Sequence, residues 1–298
     1  AEQPRCGVRQ RAALAGKSAA EHAPHRLVMT ATPIPRTLAL TDYSELDVSK
    51  ITGLPPGRKP VRTWVKPESR RDEVYDLLRA EIEKGRQVYV IYPLVEESEK
   101  VDLKSATEMA DHLQAEVFPG RRVALLHGRM KQDAKDQVMQ AFMSGAVHVL
   151  VSTTVVEVGV DVPNASVMVV EHAERFGLSQ LHQLRGRIGR GEWDSHCILL
   201  YQAPWSDDAR ERLKTMAETT DGFAIAERDL ELRGPGDFFG TRQSGLPKLR
   251  TGDLVRDRDI MEEAHQEARR LVETGLSPAP AAFARDKWDA QFGLIQVG

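Results

Sequence analysis

Five short runs of β-branched and aliphatic residues recur along the middle of this chain: VYVIYPL at 88–94, VALLHG at 123–128, VHVLVST at 147–153, VMVVE at 167–171 and CILLYQ at 197–202. They are nearly continuous rather than alternating, which is the pattern of strands covered on both faces. Helical signals separate them. Ser69 can cap a helix whose apolar positions Val74, Leu77, Leu78 and Ile82 follow the 3.6 period and which stops before Gly85. A second helix is expected around 106–115, and a third, carrying Val138 and Phe142, stops at Gly145. Buried strands alternating with amphipathic helices predict an α/β fold, a parallel sheet with helices on both faces, in one domain over residues 61–204.

The flanks read differently. The segment GLPPGRKP, residues 53–60, concentrates glycine and proline where neither helix nor strand tolerates them, and predicts a linker. Before it, residues 1–52 hold one helix-like stretch at 8–14, one short apolar run at 27–29 and a proline-punctuated segment, the expected tail of a preceding domain. After 204 the signals turn helical: Ser206 is an N-cap followed by Asp207 and Asp208, and a second helix starts near Asp221 with Phe223, Ala226 and Leu230 on one face. This helical hairpin is expected to end in RGPGDFFGTRQSG, 233–245, whose four glycines and proline oppose regular structure. A further helix at about 257–273 precedes a Pro/Ala-rich tail, so residues 205–298 form a helical C-terminal region.

Composition narrows the function classes. Cys6 and Cys197 are far apart and in no ligand spacing, which argues against a disulfide framework or a zinc site and for a reducing cytoplasm. No run of about 18 apolar residues suggests a membrane span. The net charge of −3 does not announce a nucleic-acid partner, so any such binding needs a local patch. The densest basic run lies between Arg175 and Arg190 and includes Arg185 and Arg187.

Within that run, QLRGRIGRG at 183–191 is the sharpest constellation. The spacing of Gln183, Arg187 and Arg190 predicts that they lie along the start of one short helix, while Gly186 and Gly189 remove side chains where something approaches closely. A salt-bridged surface helix would explain the arginines but not glycines that cost about 1 kcal/mol each in a helix. Paired guanidinium forks suit a polyphosphate. Two further features are weaker: Asp161 in the loop after 147–153, and the polar Thr30 and Thr32 after a short strand.

The segment 183–191 resembles motif VI of the superfamily 2 helicases, QxxGRxGR, and the resemblance extends along the chain. TATPIPRT at 30–37 is similar to motif III, STTVVEVGVDVPNA at 152–165 to motif V, and LLHGRM at 125–130 to the segment after the second strand of the second motor lobe. The stretch from Asp221 to Gly245 resembles the translocation motif shared by RecG-like helicases and transcription-repair coupling factors, and PLVEES at 93–98 and GTRQSG at 240–245 look RecG-like. The resemblance implies RecA-like lobes with ATP between them. It implies Arg187 and Arg190 as catalytic arginine fingers, Gln183, Gly159 and Asp161 on the nucleotide side, Thr153 and Thr154 facing the DNA backbone, and Thr30, Thr32, Arg242 and Gln243 in coupling. Double-stranded and branched DNA are the implied partners of a monomeric, nucleoid-associated bacterial enzyme.

The chain also departs from that pattern. No GxxxxGK[ST] is present; Ala15-Gly16-Lys17-Ser18 imitates its end, but position 11 is arginine. AEQPRCGVRQR stands where the family shows DEQHRFGVxQR: Glu2 matches the residue that polarises the attacking water, Ala1 replaces the aspartate that holds Mg²⁺, and Pro4 replaces the histidine. The expectation is a fragment, the second lobe plus translocation region, without its P-loop lobe and wedge domain and unable to hydrolyse ATP alone. The alternatives are a non-catalytic DNA- or protein-binding module derived from that lobe, and the motor part of a transcription-repair coupling factor.

Overall fold

The computed structural model describes residues 29, 49, 51, 53, 57–93, 99–153, 161–238, 257–275 and 282, with 99–102, 233–238 and 258 described by backbone alone. The chain divides into two compact units, one of which is residues 51–225. It holds a six-stranded sheet, entirely parallel. In chain order the strands are β1 (Arg62–Pro67), β2 (Gln87–Tyr92), β3 (Val123–Leu126), β4 (Val149–Thr153), β5 (Ala165–Val170) and β6 (His196–Tyr201). Their order across the sheet is β1-β6-β5-β2-β4-β3. The helices of this unit are α1 (Arg71–Glu83), α2 (Glu99–His112), α3 (Gln132–Met143), α4 (Leu178–Arg185) and α5 (Asp207–Glu218). The next helix, α6 (Gly222–Phe238), begins just inside it.

Side-chain alternation sorts the core. Val88, Val90 and Tyr92 of β2, with Val149, Val151, Val167, Val169, Ile198 and Leu200, point to one face and meet Val74, Leu78 and Ile82 of α1 and Ala106 and Ala110 of α2. Tyr89, between them in sequence, turns to the other face, where the ring of Phe142 from α3 packs edge-on at 4.9 Å. Leu78 and Phe142 are both fully buried, and truncating either to alanine removes about 2–5 kcal/mol of stability. The expected α/β sheet with helices on both faces is what forms.

Several local expectations fail for physical reasons. β1 reads RTWVKP and is not among the five expected strands. It is an edge strand with Arg62 and Trp64 exposed and Lys66 half-buried, so it lacks the continuous apolar signal of the inner strands. Ser69 does not cap α1: it lies in a 3₁₀ turn, Glu68–Arg70, and the helix starts after Arg70 without a side-chain cap. The helix expected at 106–115 begins earlier, at Glu99, and passes into a π-helical turn, Leu113–Val117. Ser206, in contrast, does cap α5, its Oγ accepting from the backbone N–H of Ala209 at 3.2 Å.

Of the second unit, the described residues form mainly the rest of α6 and a helix α7 (Arg258–Thr274). α6 runs through Gly234, Pro235 and Gly236 to Phe238, where a break at 233 was expected. The loop containing Arg242 and Gln243, the segment with Glu2, Thr30 and Thr32, and Thr154 and Gly159 lie outside the described residues.

Candidate functional site

α4 carries the constellation Gln183, Arg187 and Arg190 differently from its spacing. Gln180 Oε1 accepts the backbone N–H of Gly177 at 3.1 Å at the amino end, and Leu178, Leu181 and Leu184 bury one side of the helix. The helix ends at Arg185. The N–H groups of Arg187 and Ile188 bond three residues back, to the carbonyls of Leu184 and Arg185, which tightens the last turn. Gly189 then takes φ +71°. Gln183 is therefore exposed in the last turn, and Arg187 and Arg190 stand on the loop beyond the helix rather than along its start. What approaches the glycines closely is the chain itself. A Cβ on Gly189 would sit 2.7 Å from Val61 Cγ2, and one on Gly191 2.4 Å from the carbonyl oxygen of Pro163.

The second contact ties the loop to the segment entering β5, which carries Asp161. Arg190 Nη1 lies 3.6 Å from Asp161 Oδ1, and Arg190 Nε donates to the carbonyl of Gly186 at 3.3 Å. Both side chains stay wet, at 32% and 54% exposure, so the ion pair is worth about 0–1 kcal/mol. Arg187 belongs to the same neighbourhood. Burial pushes the Tyr89 phenol up to about 12, the charges of Arg187 and Arg190 work against that shift, and Asp161 adds to it. Asp161, expected on the nucleotide side, is here the counter-ion of Arg190.

Thr153 is elsewhere. It ends β4 at the carboxyl edge of the sheet, where open α/β sheets bind ligands. It is fully buried, and its Oγ1 has no hydrogen-bond partner among the described residues. The same is true of Nδ1 of His127, which follows β3 in register beside it. Burial first, then Lys135 and Arg129, hold the His127 imidazole below its ordinary value and so neutral. Two orphaned polar atoms on adjacent strand ends are an arrangement that an added donor–acceptor group would satisfy.

One arginine of the basic run is not on the surface. Arg185 is 4% exposed, and its Nη1 donates to the carbonyls of Met216 and Thr219, at 2.9 and 2.8 Å, at the end of α5. A helix side that buries three leucines takes the arginine in with them, provided the guanidinium finds acceptors.

Two arrangements escaped the sequence. Glu171, after β5, takes a two-pronged bond from Arg71 at the start of α1: Nη1 to Oε1 at 2.5 Å and Nη2 to Oε2 at 2.8 Å. Burial opposes the Arg71 charge, yet the bond to Glu171 and its charge prevail and raise the guanidinium above its ordinary value. Nothing in sequence joins residues 100 apart. The other is Arg58, inside the expected linker, which donates from Nε to the carbonyl of Gly189 at 2.9 Å and from Nη2 to those of Gly186 and Ile188 at 3.3 and 3.4 Å. Among the described residues no group of three His, Cys, Asp or Glu is placed to hold a metal, and no helix is long and apolar enough to cross a membrane.

Comparison with known proteins fits this geometry. Residues 69–192 match the model of the helicase conserved C-terminal domain, and residues 219–282 that of ATP-dependent DNA helicase RecG, domain 3, C-terminal. The chain is 55% identical over 284 residues to the ATP-dependent DNA helicase RecG of Acidithiobacillus ferridurans, covering 95% of this chain and 41% of that protein. It is 53% identical over 271 residues to the RecG of Synechocystis sp., covering 91% and 32%. A solved structure of RecG bound to a three-way DNA junction superposes with a TM-score of 0.64 at 48% identity, covering 80% of this chain and 31% of that one. The chain thus spans between about three tenths and two fifths of the length of these relatives, and its matches fall on their C-terminal part. A parallel lobe with its two loop arginines, followed by a region that matches the RecG C-terminal model, places the sequence: the chain belongs to the RecG family of superfamily 2 helicases.

Proposed function

We propose that this chain is the second motor lobe and translocation region of an ATP-dependent enzyme that moves on duplex DNA and remodels stalled forks and recombination junctions in the bacterial cytoplasm. In this reading 1–52 ends the first lobe, 53–60 links the lobes, 61–204 is the second lobe, and 205–298 is the hairpin, translocation loop and helical tail.

The observation that carries the reading is the parked state of Arg190, held by an exposed carboxylate and a carbonyl on a loop that also presents Arg187. Such a pair is exchanged cheaply. A polyphosphate offers the guanidinium a stronger, two-pronged partner. In that position Arg187 and Arg190 stabilise charge on the transferring phosphoryl oxygens, an effect worth roughly 10³ to 10⁵ in rate where arginine fingers are characterised. Gln183 adds amide donors and acceptors one turn earlier, Asp161 lies beside Arg190, and Gly159 is assigned to the nucleotide with them. The first lobe would hold Mg²⁺, which would supply neutralisation of phosphate charge, and the role assigned to Glu2 is to orient the attacking water.

At the other end of the sheet, Thr153 Oγ1 is assigned to DNA phosphates, and Thr154 shares that role. Duplex contacts of that kind are indifferent to sequence and weaken steeply with salt. Thr30 and Thr32 relay the state of the nucleotide, and Arg242 and Gln243 couple lobe closure to duplex movement. Likeness to the RecG structure on a three-way junction favours branched DNA as the substrate.

The test is ATP turnover in magnesium, with and without forked duplex DNA, by the 298-residue chain and by the same chain, carrying Ala1→Asp and Pro4→His, joined to the upstream half of a RecG-family helicase. The chain alone is expected to be silent. The joined protein is expected to show DNA-stimulated turnover that falls by about 10³ or more in Arg190→Ala. Turnover by the chain alone would overturn the assignment of the phosphate cradle to the missing half, and indifference to Arg190→Ala would overturn the finger role.

A further inference from the structure

The loop that carries Arg187 and Arg190 has left its helix, and its carbonyls need donors from elsewhere. Three of them, on Gly186, Ile188 and Gly189, converge on the single guanidinium of Arg58. A planar fork of fixed N–H groups is suited to this, since it reaches several oxygens at set angles without being reoriented. The contact does not stand alone. Lys59 Nζ pairs with Asp194 Oδ1 at 2.8 Å, Val61 packs against Gly189 closely enough to exclude any Cβ there, and the N–H of Arg62 donates to Ser195 O at 2.9 Å. Residues 58–62 therefore run beside 189–195 as a continuous seam that leads into the β1–β6 pairing. The seam begins in the segment read as the connection between two motor lobes.

We infer that Arg58 is a positioning residue for phosphoryl transfer: it fastens the loop bearing Arg187 and Arg190 to the interlobe segment, so that the two arginines are held in register with it. This rests on the reading of Arg187 and Arg190 as fingers. Among the described residues Arg58 donates to loop carbonyls, and it touches no reacting group in this account. When the connection moves as lobes close, the loop moves with it, and the arginines arrive at the phosphates already oriented. Orientation of this kind acts on the transition state and leaves ground-state binding nearly untouched.

The experiment uses the joined protein with forked DNA and compares Arg58→Ala, Arg58→Lys and Arg190→Ala. For Arg58→Ala, kcat is expected to fall about tenfold or more, with KM for ATP and Kd for the fork changed by less than about twofold. Affinity for an ADP–metal fluoride mimic of the transition state is expected to weaken about tenfold while affinity for ADP holds. Lysine supplies donors without the fork, so Arg58→Lys is expected to fall between Arg58→Ala and the parent. Arg58→Lys also carries the test if the alanine variant does not fold. Unchanged kcat and unchanged mimic affinity in a folded Arg58 variant would overturn the inference. So would a uniform loss of ADP, mimic and DNA binding, which marks a purely structural role. If Arg190→Ala spares kcat, the finger reading fails and takes this inference with it; if Arg190→Ala abolishes turnover and the Arg58 variants do not, only the inference fails.

Discussion

Two arginine–carboxylate pairs sit at opposite ends of the same sheet. At the carboxyl end, Arg71 and Glu171 meet through two short bonds with side-chain exposures of 19% and 4%. At the amino end, Arg190 and Asp161 meet through one 3.6 Å contact at 32% and 54%. The chemistry is shared, but solvent separates the outcomes. Where water is excluded, neither charge can leave without stranding the other. Where water competes, the partner is replaceable, and an arginine becomes available to a ligand. The same contrast recurs within one motif: Arg185 is locked onto backbone carbonyls, while Arg190, five positions on, rests on a surface.

The largest effect that would sharpen this contrast is on stability at the buried end. Glu171→Ala is expected to cost roughly 3 kcal/mol or more in denaturant unfolding of the 298-residue chain, because Arg71 then loses its buried carboxylate and is left with the partly exposed Glu68 at 3.2 Å and the Tyr75 hydroxyl. A double change to apolar residues of similar size, Arg71→Met with Glu171→Leu, should recover most of that loss. A cost under about 1 kcal/mol for Glu171→Ala would erase the distinction between the two ends.

Next in size is a pH effect on the locked side of α4. His182 is held down to about 4, by burial first and then by the Arg185 charge, with Asp221 opposing. The unfolded chain takes up a proton near the ordinary histidine value of about 6.5, so between there and pH 4 it binds more protons than the folded one. Stability is thus fully present above about pH 6.5 and falls by roughly 3 kcal/mol as pH drops toward 4. Unfolding free energies across that window should flatten in His182→Gln. An unchanged slope in that variant would show that His182 is not the group responsible.

The smallest effect belongs to the exposed pair. Asp161→Asn is expected to shift unfolding by less than about 1 kcal/mol, with the difference shrinking further in high salt. A loss above about 2 kcal/mol would mean that Arg190 is anchored as firmly as Arg71, and the parked-arginine account would have to go.

Much of this was readable from residue order, and the exceptions share a cause. The inner strands announce themselves because burial on both faces forces unbroken apolar runs such as VMVVE, which forms β5. β1 does not, since one of its edges and alternate side chains remain in water. Arg187 and Arg190 were identified by motif, yet their spacing suggested a helix. Spacing is silent about where a helix stops, and here a tightened last turn and the positive φ of Gly189 end it first. Arg58 was hidden inside a segment chosen for its prolines and glycines. Its partners lie about 130 positions away, and long-range carbonyl contacts leave no local pattern to read.

The pairing of β1 with β6 also sets a schedule for the nascent chain. Trp64, in the first strand, reaches His196, in the last, across 132 residues. At ribosomal rates of about 5–20 residues per second, β1 waits on the order of ten seconds before β6, its neighbour among the described strands, emerges. Throughout that interval it is an unpaired edge, and the charged Arg62 and Lys66 on either side of Trp64 are what discourage it from pairing with another chain. The lobe is completed by its first strand, installed last.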